Sequence, residues 1–181
     1  MKLVLIIISQ FLFINCFAQR LDKANIDDFT INDFQFIFSV KNVIDFEKSV
    51  GKLLFSKVDE FERVPFIKKQ PDKMFKNDNA LLYLKKNKVY VGFVDLEKNK
   101  WILKYKKTNN LSYSSTTDDF KKMFPNSFKL PSYIPGVAPE NVVGYSVVVC
   151  ENSKRAYLNF TFYYNHLVSI AVSEKLIKMT D

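Results

Sequence analysis

The sequence predicts an α+β fold in which two strand-helix-meander units build an antiparallel sheet, with the helices on one face of that sheet. Short runs of alternating apolar residues predict strands, and two segments with apolar residues on one helical face predict helices. Polar links of a few residues predict that successive strands are antiparallel neighbours. The chain has 181 residues, of which 48% are hydrophobic and 25% charged, a composition that suits one globular domain.

Residues 1–18 predict a secretory signal peptide. The apolar run over 3–14 follows Lys2 and is shorter than the roughly 20 residues that a membrane-spanning helix needs. Cys16 and Ala18 are small enough for the recognition positions of a cleavage site, so we expect cleavage after Ala18 and a single mature domain over 19–181. The protein is then exported, periplasmic or secreted, with no transmembrane span in the mature chain. The alternative is an outer-membrane lipoprotein that carries its lipid on Cys16.

The first unit is expected over 30–107. Apolar residues alternate over 32–40 and predict a half-buried strand, and the spacing of apolar residues predicts a helix over 43–50 that Gly51 ends. Residues 52–79 are mixed and basic, with one irregular strand expected near 53–58. A three-stranded antiparallel meander completes the unit, with strands expected at 80–85, 89–94 and 100–106.

The second unit is expected over 111–173 and repeats this order. It has a strand at 111–117, a helix at 118–124 that Pro125 stops, and a meander with strands at 143–150, 155–163 and 167–172. The pair Asp45-Phe46 of the first helix recurs 74 residues later as Asp119-Phe120. This offset predicts a duplicated module whose sheets join into one.

A tandem of two such units behind an export signal resembles the beta-lactamase-inhibitor-protein fold. Each unit is also similar to the small lipoproteins of the outer-membrane assembly machinery. The resemblance rests on Asp45-Phe46-Glu47-Lys48 through Gly51, on Asp119-Phe120 through Pro125, and on the meanders that follow them. In the inhibitor, the uncovered concave sheet binds a partner protein. The resemblance therefore implies binding rather than catalysis.

Alternation along the strands separates a buried face from an uncovered face. It places Phe160, Trp101, Phe93 and Val168 on the buried face and leaves Tyr, Ser, Thr, Asn and Lys on the other. Exposed tyrosines are typical of protein-binding surfaces, although Tyr and Thr also form strands well on any solvated face. The predicted protein-binding residues on the uncovered face are Tyr83, Lys85, Tyr90, Lys104, Tyr157, Asn159 and Tyr163.

Lysines cluster at the ends of the first meander. One interpretation is that they steer the protein to an acidic partner, namely another exported or envelope protein, or to an anionic membrane surface or an acidic envelope polymer. The other is that they protect solvated turns and an edge strand. Export disfavours nucleic acid as a partner. The lysines of this cluster are Lys85, Lys86, Lys88, Lys98, Lys100, Lys104, Lys106 and Lys107.

Few residues of the sequence point to cofactor or metal chemistry. Four scattered glycines build no phosphate-binding loop, and one histidine with two distant cysteines builds no zinc site. We therefore expect no cofactor and no metal. Cys150 forms an intermolecular bridge, serves as a reactive thiol or, as we prefer, fills space as a small buried hydrophobe.

Three classes of function follow. The first is an exported, non-catalytic protein-binding protein of the inhibitor or immunity type that uses the uncovered face. The alternative is a cell-envelope assembly or scaffolding component, lipidated or not. A hydrolase with a site around His166 is the least favoured.

Overall fold

The computed structural model describes residues 20–58, 64–97, 101–132 and 141–176. The predicted signal peptide lies outside these ranges. The described residues form two β-sheets and two short helices. The predicted α+β class is confirmed, and all strand pairs but one are antiparallel.

The two longest of the described strands have ten residues each. The first eight strands are β1 (Lys23–Asn25), β2 (Phe29–Ile31), β3 (Phe34–Gln35), β4 (Ile37–Ser39), β5 (Leu54–Ser56), β6 (Lys73–Lys76), β7 (Ala80–Lys85) and β8 (Lys88–Asp95). The remaining strands are β9 (Leu103–Tyr105), β10 (Asn109–Leu111), β11 (Val142–Glu151), β12 (Lys154–Tyr163) and β13 (His166–Ser173). The helices are α1 (Val43–Val50) and α2 (Thr117–Met123).

The large sheet has the strand order β1-β11-β12-β13-β8-β7-β6-β5, and β4 also pairs with β8. Its one parallel pair is β1 with β11. The small sheet has the order β10-β9-β2-β3. The second meander, β11-β12-β13, forms as predicted.

The main core lies between the large sheet on one side and the helices with the small sheet on the other. Phe46 of α1 and Phe120 of α2 join the same buried cluster as Phe29 of β2 and Phe160 of β12, and each of these four side chains is fully buried. Both helices therefore cover the same face of the large sheet. We call this the inner face and the opposite one the outer face.

Local signals explain where α1 ends and where α2 begins. Gly51 ends α1 with a φ of 84°, and its N–H donates to the carbonyl of Glu47 at 2.8 Å; this left-handed conformation favours glycine. At the start of α2, the Thr116 N–H donates to Oδ2 of Asp119 at 3.0 Å. No helix within the described ranges is long and apolar enough to cross a membrane.

Two expectations about the first unit are wrong. The strand expected at 100–106 does not continue the meander, because β9 pairs with β2 and β10 in the small sheet. The strand expected at 32–40 is divided, since β3 belongs to the small sheet whereas β4 lies beside β8. The predicted duplication is not confirmed.

Two β-bulges change which residues face the core. The pairing of β7 with β8 shifts between Leu81 and Leu82, so Val94 is fully buried on the inner face and Phe93 is only half-buried. A shift between β12 and β13 likewise buries Leu167 in place of the half-buried Val168. The inward positions predicted for Phe93 and Val168 are wrong because an extra residue reverses strict alternation.

Candidate functional site

The seven predicted binding residues do not share one exposed surface. Tyr157, Asn159 and Tyr163 lie on the outer face of β12, and Tyr83, Lys85 and Tyr90 lie on the outer face of β7 and β8, as the cross-strand pairing requires. Lys104 belongs to β9 and therefore to the small sheet. The predicted surface is thus distributed over two sheets.

The prediction that Tyr83 is exposed is wrong. Tyr83 is only 6% exposed and forms a second apolar cluster with Val64 and Met74, which we call the outer cluster. Val64 belongs to the segment 52–79, in which the sequence predicts only one irregular strand, and it packs against Met74 of β6 and Tyr83 of β7 on the outer face. Tyr90 packs against the same cluster and is half-buried; burial, followed by the charge of Glu151, raises the pKa of its phenol.

The two predicted steering lysines are already paired within the chain. Lys85 Nζ lies 2.5 Å from Oδ1 of Asp72 and donates to the carbonyl of Gln70 at 2.7 Å. The hydrogen bond from Lys85, and then that from the Lys86 N–H, lowers the pKa of Asp72. Lys104 Nζ lies 2.5 Å from Oδ1 of Asp33. Neither ammonium group is a free charge on the outer face.

The expectation that Asn159 is exposed is also wrong. Its side chain is 6% exposed, because it is part of a polar network across three strands of the large sheet. Ser146 Oγ donates to Oδ1 of Asn159 at 2.7 Å, and Nδ2 of Asn159 donates to Ser173 Oγ at 2.8 Å. These bonds satisfy the amide inside the protein, where an unpaired polar group would be costly. Asn159 therefore joins strands within the protein.

Tyr157 and Tyr163 remain accessible but are far apart. Tyr157 is half-buried and Tyr163 is exposed. Six residues of extended strand separate them, which corresponds to about 20 Å. Of the predicted anchors, only Tyr163 belongs to a larger group of exposed rings.

That group lies at the tip of the β12–β13 hairpin, and we call it the hairpin aromatic strip: Tyr113, Tyr163, Tyr164 and His166. The rings of Tyr163 and Tyr164 are perpendicular at 4.5 Å between centroids, and those of Tyr113 and His166 are stacked at 5.4 Å. Tyr163 and His166 are cross-strand partners and so present their side chains on the same face. Four rings therefore follow one another along the hairpin tip.

All four rings of the strip are accessible to a partner. Tyr164 is 60% exposed, Tyr163 42% and Tyr113 39%, and His166 is exposed as well. The neighbouring Tyr164, then partial burial, raises the pKa of the Tyr163 phenol. Tyr163 is therefore a neutral hydrogen-bonding group near neutral pH.

The hairpin turn holds Tyr164 in an unusual backbone conformation. Tyr164 has a φ of 44° and Asn165 a φ of 66°. A left-handed conformation suits asparagine but costs a bulky residue about 1–2 kcal/mol. The tip is nevertheless fixed, because the Tyr164 N–H donates to the carbonyl of Asn141 at 2.8 Å. Asn165 Oδ1 also accepts hydrogen bonds from the N–H and the hydroxyl of Thr117 at 3.0 and 2.7 Å.

Sequence reasoning missed Tyr113, Tyr164 and His166 as members of this site. The run Tyr163-Tyr164-Asn165-His166 contained a signal, because a bulky aromatic residue stands where a two-residue turn normally has Gly, Asn or Asp. Tyr113 is distant in sequence, and its contact with His166 depends on the path of the 112–116 loop beside β13. The Leu167 N–H donates to the carbonyl of Ser115 at 3.1 Å and fixes that path.

The described ranges give three observations on metal ligands, His166 and Cys150. They contain no group of three or more His, Cys, Asp and Glu side chains that could hold a metal ion. His166 stacks on Tyr113 and makes no hydrogen bond to a carboxylate there. Cys150 is a free, half-buried thiol in β11, which agrees in part with the space-filling role that we preferred.

Comparison of the chain with protein-family models, with curated proteins and with solved structures gives no match. The function is therefore argued from the geometry of the hairpin aromatic strip.

Proposed function

We propose that this is an exported, non-catalytic binding protein of the inhibitor or immunity type, and that the hairpin aromatic strip docks on the partner protein. The proposal keeps the class of function that the sequence predicts and moves the binding surface from the middle of the outer face to the hairpin tip. Export is predicted from residues 1–18, and the resemblance to the inhibitor fold comes from the predicted order of strands and helices. Both are parts of this proposal.

The observation that carries the proposal is Tyr164. A tyrosine that is 60% exposed contributes little to the core, yet it occupies a backbone conformation that asparagine would adopt at lower cost. Residues in such conformations concentrate at functional sites. A large ring held in this way outside the protein is explained if its use is to contact another molecule.

The fixed turn favours tight binding. Tyrosine offers a large contact area and a hydrogen-bonding hydroxyl for only two side-chain torsions. The Tyr164 N–H donates to the Asn141 carbonyl and the Thr117 N–H donates to Oδ1 of Asn165, and both hydrogen bonds hold the turn before any partner arrives. Less conformational freedom is therefore lost on association. The strip is therefore suited to supply the aromatic anchors of an interface.

The test compares Tyr164→Asn with a matched control, Lys86→Asn. Lys86 lies in the β7–β8 turn, is exposed and has a φ of 55°, so both changes relieve the same kind of backbone strain. Lys88 and Asp95 mark the two ends of β8, and Asp95 pairs with Ser169 near the strip. The control site is thus about 20 Å or more from the strip.

The three proteins serve as baits for capture from the native envelope or secreted fraction, and binding of the captured partner is then measured with purified components. We expect one dominant partner, retained by wild type and by Lys86→Asn. We expect Tyr164→Asn to bind it at least roughly thirtyfold more weakly, since an anchor of about 2 kcal/mol corresponds to that factor. Equal binding by Tyr164→Asn and wild type would refute the proposed docking surface. A hydrolytic activity that His166→Ala abolishes would instead establish the enzyme alternative.

A further inference from the structure

A groove lies on the small sheet, and none of the residues that line it belongs to the hairpin aromatic strip. The exposed face of this sheet carries a groove of about 470 Å³, a volume within the range of about 300–1,000 Å³ that small-molecule sites occupy. All of the residues that line it are polar or charged, and they include three carboxylates and three ammonium groups. The lining residues are Asp27, Asp28, Thr30, Asp33, Gln35, Lys104, Lys106 and Lys107.

Strand pairing explains the floor of this groove. Thr30 of β2 pairs with Lys104 of β9 on one side and with Gln35 of β3 on the other. Cross-strand partners project on the same face of a sheet, so these three side chains form one row. Lys104 is fixed by its ion pair with Asp33 at 2.5 Å. The floor is therefore ordered and offers hydroxyl and amide groups that both donate and accept hydrogen bonds.

The β9–β10 turn brings two lysines to one end of the groove at a conformational cost. Lys106 has a φ of 51° and Lys107 a φ of 62°, and two consecutive left-handed residues are normally Asn and Gly. The Lys106 ammonium lies 5.1 Å from the centre of the Tyr105 ring. Lysines in place of Asn and Gly keep two positive charges at this end of the groove, at a cost in backbone strain.

Carboxylates lie beside these lysines. The Lys106 N–H donates to the carbonyl of Asp28 at 2.9 Å, which places the β9–β10 turn next to Asp27 and Asp28. Within the described part of the chain, the side chains of Asp27 and Lys107 make no ion pair or hydrogen bond. A negative and a positive group are thus both available to a ligand.

This charge pattern selects a class of ligand. The three carboxylates of the groove would repel a purely anionic ligand, and its three ammonium groups would repel a purely cationic ligand. We propose that the groove binds a short zwitterionic peptide or amino acid, with its ammonium group at Asp27 and Asp28 and its carboxylate at Lys106 and Lys107. The hydroxyl of Thr30 and the amide of Gln35 then meet the polar backbone of the ligand.

The test uses alanyl-alanine, its N-acetylated form, its C-terminal amide and free alanine as probes, titrated into the full mature protein and followed by calorimetry and NMR shifts. We expect saturable binding of the free dipeptide with a Kd at or below about 1 mM. Each capped form removes one charge and should bind at least tenfold more weakly, as a rough lower bound for a lost charged contact. Free alanine distinguishes an amino-acid site from a peptide site. Absence of saturable binding by any probe up to about 10 mM would overturn the proposal.

A double variant tests whether the Lys106 and Lys107 side chains bind the dipeptide while the turn keeps its conformation. Lys106→Asn with Lys107→Gly installs the preferred turn residues, so we expect a higher unfolding midpoint together with loss of dipeptide binding. Lys86→Asn, which relieves a similar strain in another turn, should raise or preserve the midpoint and leave binding unchanged. Unchanged binding in the double variant would overturn the assignment of the lysines, and a lowered unfolding midpoint would overturn the strain argument. Asp27→Asn should weaken binding of the free dipeptide and leave binding of its N-acetylated form unchanged.

Discussion

Replacing Gly92 with alanine tests the packing of the outer cluster, which the sequence did not predict. Gly92 is buried at the bulge of β8, and an added Cβ would lie 2.5 Å from Cε2 and 3.1 Å from Cδ2 of Tyr83. Carbon atoms in contact normally stay about 3.5–4.0 Å apart, so the ring must move by roughly 1 Å. Tyr83 has little freedom to do so, because it is buried together with Val64 and Met74.

The size of the effect follows from two opposing terms. Overpacking in a well-packed region costs about 1–3 kcal/mol, and alanine in place of glycine in a strand recovers about 0.5–1 kcal/mol. We expect Gly92→Ala to lower the free energy of unfolding by about 1–2 kcal/mol. Tyr83→Ala alone should cost about 3–5 kcal/mol, as other aromatic deletions do. Once that ring is absent, Gly92→Ala should be neutral or stabilising by up to about 1 kcal/mol.

The assay is urea unfolding of wild type, the two single variants and the double variant, with the coupling energy taken from the cycle. We expect a coupling of about 1–3 kcal/mol that favours the pair as it exists in the protein. If Gly92→Ala costs the same in both backgrounds, the Tyr83 ring does not fill the space above Gly92. The assignment of the outer cluster would then be wrong.

Two further predictions concern the inner face and α2. Phe160→Ala should cost about 3–5 kcal/mol because Phe160 is fully buried against Phe120 and Phe124. Replacing the half-buried Tyr157 with alanine should lower the free energy of unfolding by less than half as much in the same urea experiment. If Tyr157→Ala is instead the more destabilising change, the assignment of the inner and outer faces is wrong. Hydrogen bonds from the Thr116 backbone, and then from Lys122, lower the pKa of Asp119 in the folded protein. The Asp119 carboxylate therefore stabilises the fold above its unfolded-state pKa of about 3.9. This stabilisation is lost as the pH falls through the lower folded-state pKa. The stability difference between wild type and Asp119→Asn should therefore shrink as the pH falls below about 4. A pH-independent difference would contradict this role.

The sequence was most informative where structure depends on neighbouring residues. The helix predicted over 43–50 forms with those bounds and ends at Gly51, because apolar spacing and a C-cap are local signals. The helix predicted over 118–124 is displaced by one residue. In β12, strict alternation correctly identified the buried residues Ala156, Leu158, Phe160 and Phe162.

The candidate site was predicted only in part, for two physical reasons. Alternation gives the face on which a side chain lies but not whether another segment covers that face, and therefore Tyr83 was assigned to the surface although it is buried beneath Val64. Within the hairpin aromatic strip, the stacked rings of Tyr113 and His166 belong to residues 53 positions apart in the sequence. No local pattern reports such a contact.

The sequence by itself determined the class of the fold, the two helices, the second meander and the buried face of its middle strand. The tertiary structure alone decided the division into two sheets, since β9 pairs with β2 across more than 70 residues instead of with β8, the strand that precedes it along the chain. It also decided the faces of Phe93 and Val168, because a bulge arises from the fit between two strands and reverses the alternation that each strand shows alone. Packing between distant segments therefore determined which tyrosines a partner can reach.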